Sequence, residues 1–440
     1  MSGLALSGLA FAVMLGLIFL RMPIGAAMLL TGLTGTWIVT GSLTPVLAQM
    51  KSLTYDTFSS YSLSIVPLFL LMGQFAAKSG MSESLFRATA DWLGHRRGGV
   101  AMAAVGACAG FGAVCGSSLA TAATMGQVAL PEMRRLRYSP ALSTGVLAAG
   151  GTLGILIPPS VILVIYAILT EQNIIKMFAA ALVPGLLAAA GYMITVAVYV
   201  RLWPDAASTA RRVPYTQRLR TLVGVWPVVA IFALVIGGIY LGWFTPTEAA
   251  AIGAAATGIY ALAVGRLSRR DFVDCVLAAA SATAMIFFIV LGAQTLNTFL
   301  ALTQTPQAAA DWVIQSGLSP WMVLTLILAC YLAFGCVMDS LSMILLTIPI
   351  FFPIVMALDF GLSPEETAIW FGVLALMVVE IGLITPPVGL NLFIIHSLAG
   401  DIPMGQTYRG VAPFIVSDVI RIVILVAFPF ITLGLMRAMF

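Results

Sequence analysis

Charge is what this sequence has least of. Asp, Glu, Lys and Arg make up 9% of its 440 residues, against roughly 25% in soluble domains. No long polar stretch offers a soluble domain. There is no GxxxxGKS/T, which excludes an ATP-binding loop in this chain. The two histidines, His95 and His396, stand far apart with no metal-ligand spacing. HExxH and GxSxG are absent and no nucleophile–base pair is visible, so an enzyme is not expected. Five cysteines show no CxxC spacing and read as small apolar residues. The N-terminus lacks a basic leader, so its first apolar run reads as a membrane helix and not a cleaved signal.

What is present is apolar. Hydrophobic residues make up 61% of the chain, in runs of about 20 that recur from end to end, as in a polytopic helical membrane protein. Runs that suit crossings are 4–20, 23–41, 60–77, 140–169, 174–200, 222–243, 246–265, 279–302, 367–398 and 411–436. Two stretches, 100–133 and 321–358, are too long for one crossing and too short for two. Each has glycines and polar residues at its middle.

Two of the runs contain adjacent prolines: Gly154-Ile-Leu-Ile-Pro-Pro-Ser160, and Glu380-Ile-Gly-Leu-Ile-Thr-Pro-Pro-Val-Gly-Leu-Asn391. Proline removes a backbone donor and clashes with the preceding turn. In the second copy this is expected to free the carbonyls of Gly382 and Leu383. Hydrocarbon tolerates such groups only when they are buried in protein or turned to a polar cavity. Paired broken helices are the best sequence pointer to a transporter's binding site.

The second half echoes the first. Pro23, Gly73, Asp91-Trp92, Phe111-Gly112 and Pro158-Pro159 answer to Pro246, Gly292, Asp311-Trp312, Phe334-Gly335 and Pro386-Pro387, at offsets of 223, 219, 220, 223 and 228. Five pairs in one order suit duplicated halves of a transporter. Loop charge then sets the topology. Seventeen of the 21 Lys and Arg residues cluster in segments that one side can share, including both flanks of 100–133. The flanks of 321–358 carry Asp311, Asp359, Glu365 and Glu366 instead. The two stretches therefore read as re-entrant hairpins entering from opposite faces.

The expected architecture is all-α, with two inverted repeats, each of five crossings, a hairpin and a broken helix. The first repeat covers 1–200, with scaffold helices to 78, an arm at 80–97, hairpin 100–133, broken helix 140–169 and helix 174–200. A cytoplasmic connection covers 201–221. The second repeat covers 222–440, with scaffold helices to 302, an arm at 304–318, hairpin 321–358, broken helix 367–398 and helix 411–436.

Oxygen ligands gather at the breaks, and hard cations such as Na⁺ prefer oxygen. One expected site takes Ser117 and Ser118 with carbonyls of Gly151, Thr152, Gly154 and Ile157. Its mirror takes Asp339, Ser340, Gly382 and Thr385, with Val388 or Gly389. A carboxylate at membrane depth costs at least about 2.5–3.5 kcal/mol, so Asp339 is a functional candidate by default. Glu380 suits either a cavity lining or a bond to a neighbouring helix. Glu248 suits the start of a helix dipole, and Asp418 suits a pair with Arg421. Half-helix N-termini at Ser160 and Asn391 favour an anionic solute group, with Ser117 and Thr121 nearby.

Gly116-Ser-Ser-Leu-Ala-Thr121, Gly150-Gly-Thr-Leu-Gly-Ile-Leu-Ile-Pro-Pro-Ser160, Phe244-Thr-Pro-Thr-Glu-Ala249 and Gly382-Leu-Ile-Thr-Pro-Pro-Val-Gly-Leu-Asn391 together resemble the large membrane subunit (DctM-type) of TRAP, tripartite ATP-independent periplasmic, transporters. The likeness covers essentially the whole chain. It implies an elevator-type importer of organic acids in a bacterial inner membrane, coupled to two or more Na⁺ and not to ATP. It implies a small four-helix membrane subunit, not fused at the start of this chain, and a periplasmic binding protein that delivers a small carboxylate. Ser117, Ser118, Gly151, Thr152, Asp339, Ser340, Gly382 and Thr385 match the family's Na⁺-binding segments. A lipid bilayer is expected around the chain and nucleic acid is not a partner. The alternative is a Na⁺- or H⁺-coupled carrier of related architecture that works without a binding protein.

Overall fold

Helices form wherever the apolar runs lie, and short polar residues fix many of their starts. The computed structural model describes residues 3–440, and the described residues contain no strand. The first half runs α1 (Gly3–Phe19), α2 (Ile24–Thr40), α3 (Leu43–Ser59), α4 (Ile65–Lys78), α5 (Met81–Leu93), α6 (Gly99–Cys115), α7 (Ser118–Arg135), α8 (Pro140–Leu156), α9 (Val161–Leu169) and α10 (Ile174–Leu202). After α11 (Tyr215–Val223) come α12 (Trp226–Phe232), a π turn at Ala233–Gly237, α13 (Gly238–Tyr240), α14 (Pro246–Ala263), α15 (Arg269–Leu302) and α16 (Thr305–Gln315). The chain ends with α17 (Pro320–Gly335), α18 (Ser340–Met356), α19 (Pro364–Gly382), α20 (Leu390–Leu398), α21 (Met404–Ala427) and α22 (Pro429–Met439).

By length and composition, α10, α15 and α21 can each cross a bilayer alone. Three bent pairs can do so together: α3 with α4, α8 with α9, and α11 with the helix that follows it, bent by 52°, 45° and 43°. The 17-residue helices α1, α2, α6 and α18 reach about 25 Å at 1.5 Å per residue, the lower limit for a crossing.

Side-chain caps satisfy amides at the helix starts. Ser139, Asn173 and Ser319 cap α8, α10 and α17. Glu248 completes a capping box with Thr245, accepting its amide at 2.8 Å. That gives this acidic residue a local structural role.

Some helices had no clear apolar signal. α3 is amphipathic and lies between two of the runs that suit crossings, 23–41 and 60–77. It is tied to α15 by Gln49 Nε2 donating to Thr295 O (3.3 Å) and Thr57 Oγ1 to Gln294 Oε1 (2.6 Å). α11 starts within the expected connection, runs two residues past it and packs on α5, where Trp92 Nε1 donates to Arg218 O at 3.2 Å. The last long helix begins earlier than its apolar run, at Met404, and breaks at Pro429, which starts α22.

The helices form two bundles. α2 packs along α15 and α14 along α4, with α3 and α1 against them. Glycines bring these backbones close: a Cβ at Gly32 would lie 2.7 Å from Thr295 C, and one at Gly292 would lie 2.5 Å from Gly25 O. Small residues do the same between membrane helices generally. In the second bundle α6, α7, α8 and α10 pack with α19, α20, α21 and α22. α20, from the second half, lies on α7 and α8 of the first.

Candidate functional site

Each anomalous stretch is a helical hairpin, α6–α7 and α17–α18, broken at its tip. Gly116 turns the first tip with φ +64°, a conformation that suits glycine. Ser117 then caps α7, accepting from Ala120 N at 3.4 Å. At the second tip Asp339 caps α18, accepting from Ser342 N at 3.1 Å. Ser118 and Ser340 are therefore each the first residue of a helix, at matching places.

Both hairpins cross a broken helix at a pair of glycines. A Cβ on Gly112 would sit 2.6 Å from Gly154 Cα, and one on Gly382 would sit 2.5 Å from Gly335 Cα and C. This explains why a glycine stands four residues before each double proline: the crossing backbones leave no room for a side chain. The break after α8 is short, and Ser160 caps α9 through Leu163 N at 3.4 Å. The break between α19 and α20 is longer. Gly389, with φ +63°, donates its amide to Cys336 O at 3.0 Å and so ties the break to the hairpin tip.

The freed carbonyls behave differently in the two breaks. Among the described residues no backbone amide reaches Gly154 O or Ile155 O. Gly382 O and Leu383 O, in contrast, each accept one amide, from Thr385 N at 3.0 Å and Asn391 N at 3.1 Å. The expectation that the prolines leave these two carbonyls bare is corrected. The chain turns tightly enough after α19 to bring later donors back to them.

The two tips meet at one carboxylate. Glu380 is fully buried. Its Oε2 accepts the Ser118 hydroxyl and its Oε1 accepts the Ser340 hydroxyl at 2.6 Å. Desolvating an ion costs several kcal/mol, and hydrogen bonds to a charged group return about 1.5–3 kcal/mol each. Two donors therefore offset part of that cost without a basic partner. Of the alternatives for Glu380, the structure takes the bond to neighbouring helices, and from both hairpins at once. The sequence signal was its position as the one charged residue inside a long apolar run.

A cavity of about 120 Å³ lies between the tips, lined by Ser117, Ser118, Asp339 and Ser340 with Leu70, Ile162, Ile286 and Leu383 among the apolar walls. Asp339 also borders a cavity of about 590 Å³ against Arg21, Gly25 and Phe288. It thus faces the seam between the bundles.

The remaining candidates fall into two groups. Thr121, Gly151, Gly154 and Asn391 come together where α7, α8 and α20 meet. Asn391 Nδ2 donates to Ala148 O at 3.3 Å. The Oγ1 of Thr121 and Oδ1 of Asn391 are buried without a protein partner. A Cβ at Gly154 would lie 2.4 Å from Thr121 Oγ1, and one at Gly151 would lie 3.1 Å from Asn391 Nδ2. Thr121, Ser160 and Asn391 are fully buried and are absent from the lining of the cavity between the tips. Thr385 Oγ1 donates to Ile381 O at 2.7 Å, Ile157 ends α8, and Val388 is half-buried in the second break.

Thr152 leads away from the tips. Its Oγ1 donates to Ala149 O at 2.7 Å and lies 3.0 Å from Tyr192 OH. That phenol donates to Asp418 Oδ2 at 2.8 Å, and Asp418 pairs with Arg421 at 3.0 Å, both residues buried. Nothing in the sequence singled out Tyr192.

The chain resembles known proteins in sequence and in fold. A family model described as the DctM component of tripartite ATP-independent periplasmic transporters matches residues 11–431. The chain belongs to this TRAP transporter family. A C4-dicarboxylate TRAP transporter large permease protein from Pseudomonas aeruginosa is 38% identical over 87% of both chains. One from Rhodobacter capsulatus is 33% identical over 99% of both. A sialic acid TRAP transporter large permease protein from Vibrio cholerae is 31% identical over 95% of this chain and 96% of its own. Among solved structures, the Alcanivorax borkumensis YdaH transporter superposes with a TM-score of 0.62 over 89% of this chain and 90% of that one. Its 14% identity makes this a likeness of fold. As a TRAP large permease, the chain is a multi-pass membrane protein.

Proposed function

We propose that the chain is the large permease of a Na⁺-coupled TRAP transporter in a bacterial inner membrane. It imports a small carboxylate handed over by a periplasmic binding protein, alongside a small membrane subunit. The observation that carries this reading is the convergence of both hairpin tips on one cavity, with Ser117, Ser118, Asp339 and Ser340 around it. Sodium ions bind at the tips and breaks, pre-order them, and supply the positive charge that holds the solute's carboxylate. The α6–α10 and α17–α22 bundle then shifts as one body against the α1–α4 and α14–α15 bundle, in two inverted halves.

The named relatives handle C4-dicarboxylates and sialic acid, both carboxylates. The cavity of about 120 Å³ is well below the ~300–1,000 Å³ of sites for drug-sized ligands. It favours the smaller class.

Proteoliposomes with the small subunit and the binding protein test the reading. Uptake of labelled succinate is expected to follow an inward Na⁺ gradient and to stop when K⁺ replaces Na⁺. Uptake indifferent to Na⁺ would sink the reading. Asp339→Asn keeps a good helix cap and removes only the charge, so it is expected to raise the Na⁺ concentration needed for half-maximal uptake. An unchanged Na⁺ dependence removes Asp339 from the site. Cysteine labelling checks the topology: residues 137 and 211 should react from the inside, and 311 and 362 from the outside. The same side for all four would end the inverted arrangement.

A further inference from the structure

We propose that Glu380 is a positioning residue shared by two sodium sites. It orients one hydroxyl ligand in each, Ser118 and Ser340, and so makes binding of the two ions interdependent. This rests on the reading of the hairpin tips as sodium sites.

A serine hydroxyl offers one hydrogen and two lone pairs. Here both hydrogens are directed at Glu380, to Oε2 from Ser118 and to Oε1 from Ser340. The lone pairs are left free, and both serines line the cavity between the tips. A carboxylate behind a metal ligand fixes its orientation and raises its basicity. A cation that draws on Ser340 strengthens its bond to Glu380. It thereby holds the carboxylate in the rotamer that also serves Ser118, so the first ion orders the ligand of the second.

The arrangement is one-sided. Six residues before the first proline stand Thr152 in one broken helix and Glu380 in the other. Thr152 bonds Ala149 O and Tyr192 OH and hydrogen-bonds neither serine. One carboxylate therefore serves both tips. Among the described residues no Lys or Arg pairs with Glu380.

The test uses the purified full-length protein, titrated with NaCl against choline chloride at constant ionic strength. Thermal stabilisation reads the binding. The wild type is expected to give a Hill coefficient approaching 2, the number of coupled sites. Glu380→Gln keeps the size but puts an NH2 donor where one carboxylate oxygen stood, which turns one serine hydroxyl round. Half-saturating Na⁺ is expected to rise about tenfold, within the usual range of coupling between sites, and the Hill coefficient to fall to about 1. The melting temperature without Na⁺ should hold, which a merely structural role would not allow. Unchanged affinity and cooperativity in Glu380→Gln overturn the inference while leaving the sodium reading intact. A wild type that does not respond to Na⁺ overturns both. Should Glu380→Gln fail to fold, the cycle of Ser118→Ala, Ser340→Ala and the double variant decides. A shared carboxylate requires non-additive shifts in half-saturating Na⁺, and additive shifts exclude it.

Discussion

Gly382→Ala is expected to cut uptake by about ten- to a hundredfold. The new Cβ would lie 2.5 Å from Gly335 Cα and C and 2.9 Å from Gly335 O. All three are backbone atoms, so no side chain can swing away. α17 and α19 must move apart, at an overpacking cost of about 1–3 kcal/mol. Each 1.4 kcal/mol is a factor of ten. The shift falls where it does most harm, because Ser340 and Glu380 lie just beyond the crossing and depend on its spacing for their 2.6 Å bond. Gly112→Ala meets Gly154 Cα at 2.6 Å and is expected to behave alike. Gly434→Ala is the control, since nothing lies within 4 Å of its Cβ position. Initial rates in proteoliposomes, corrected for the amount of folded protein, check the set. Wild-type rates in Gly382→Ala would show that the crossing tolerates a looser fit.

Asp418→Ala is expected to cost about 3–5 kcal/mol, the usual result of leaving one member of a buried ion pair alone. Arg421 is 5% exposed and Asp418 1%, so water cannot take the place of the lost partner. Tyr192 OH loses its acceptor as well, and with it the link from Thr152. Removing both charges as Asp418→Leu with Arg421→Met is expected to recover most of the stability, since apolar replacements of buried pairs are often neutral or better. Thermal unfolding of wild type, Asp418→Ala and the double variant in detergent measures this. Equal melting temperatures for wild type and Asp418→Ala would show that the pair contributes nothing to the fold.

Much of this architecture is written in residue pattern. Double prolines, polar tips and flanking glycines mark the hairpins and breaks because hydrocarbon makes such irregularity costly and therefore conspicuous. α3 stayed hidden because its polar face is satisfied by α15, a contact some 240 residues away in sequence. The same holds for the carbonyls of Gly382 and Leu383: spacing shows which donors proline removes, but not that Asn391 returns to replace one. Glu380 was visible as an oddity, yet its two partners lie 262 and 40 residues distant. Local pattern reports where a break occurs, while tertiary packing decides what fills it.

The seating of α20 on α7 and α8 has a bearing on biosynthesis. Asn391 is the donor to Ala148 O, yet about 240 residues separate them. While the ribosome is still translating, the face of α7 and α8 that α20 later covers has no partner. A nascent chain that stops before residue 391 leaves that face, with the Thr121 hydroxyl in it, open to lipid, which tolerates polar groups poorly. Prematurely terminated products of this gene are thus expected to be degraded by membrane proteases instead of persisting as half-transporters.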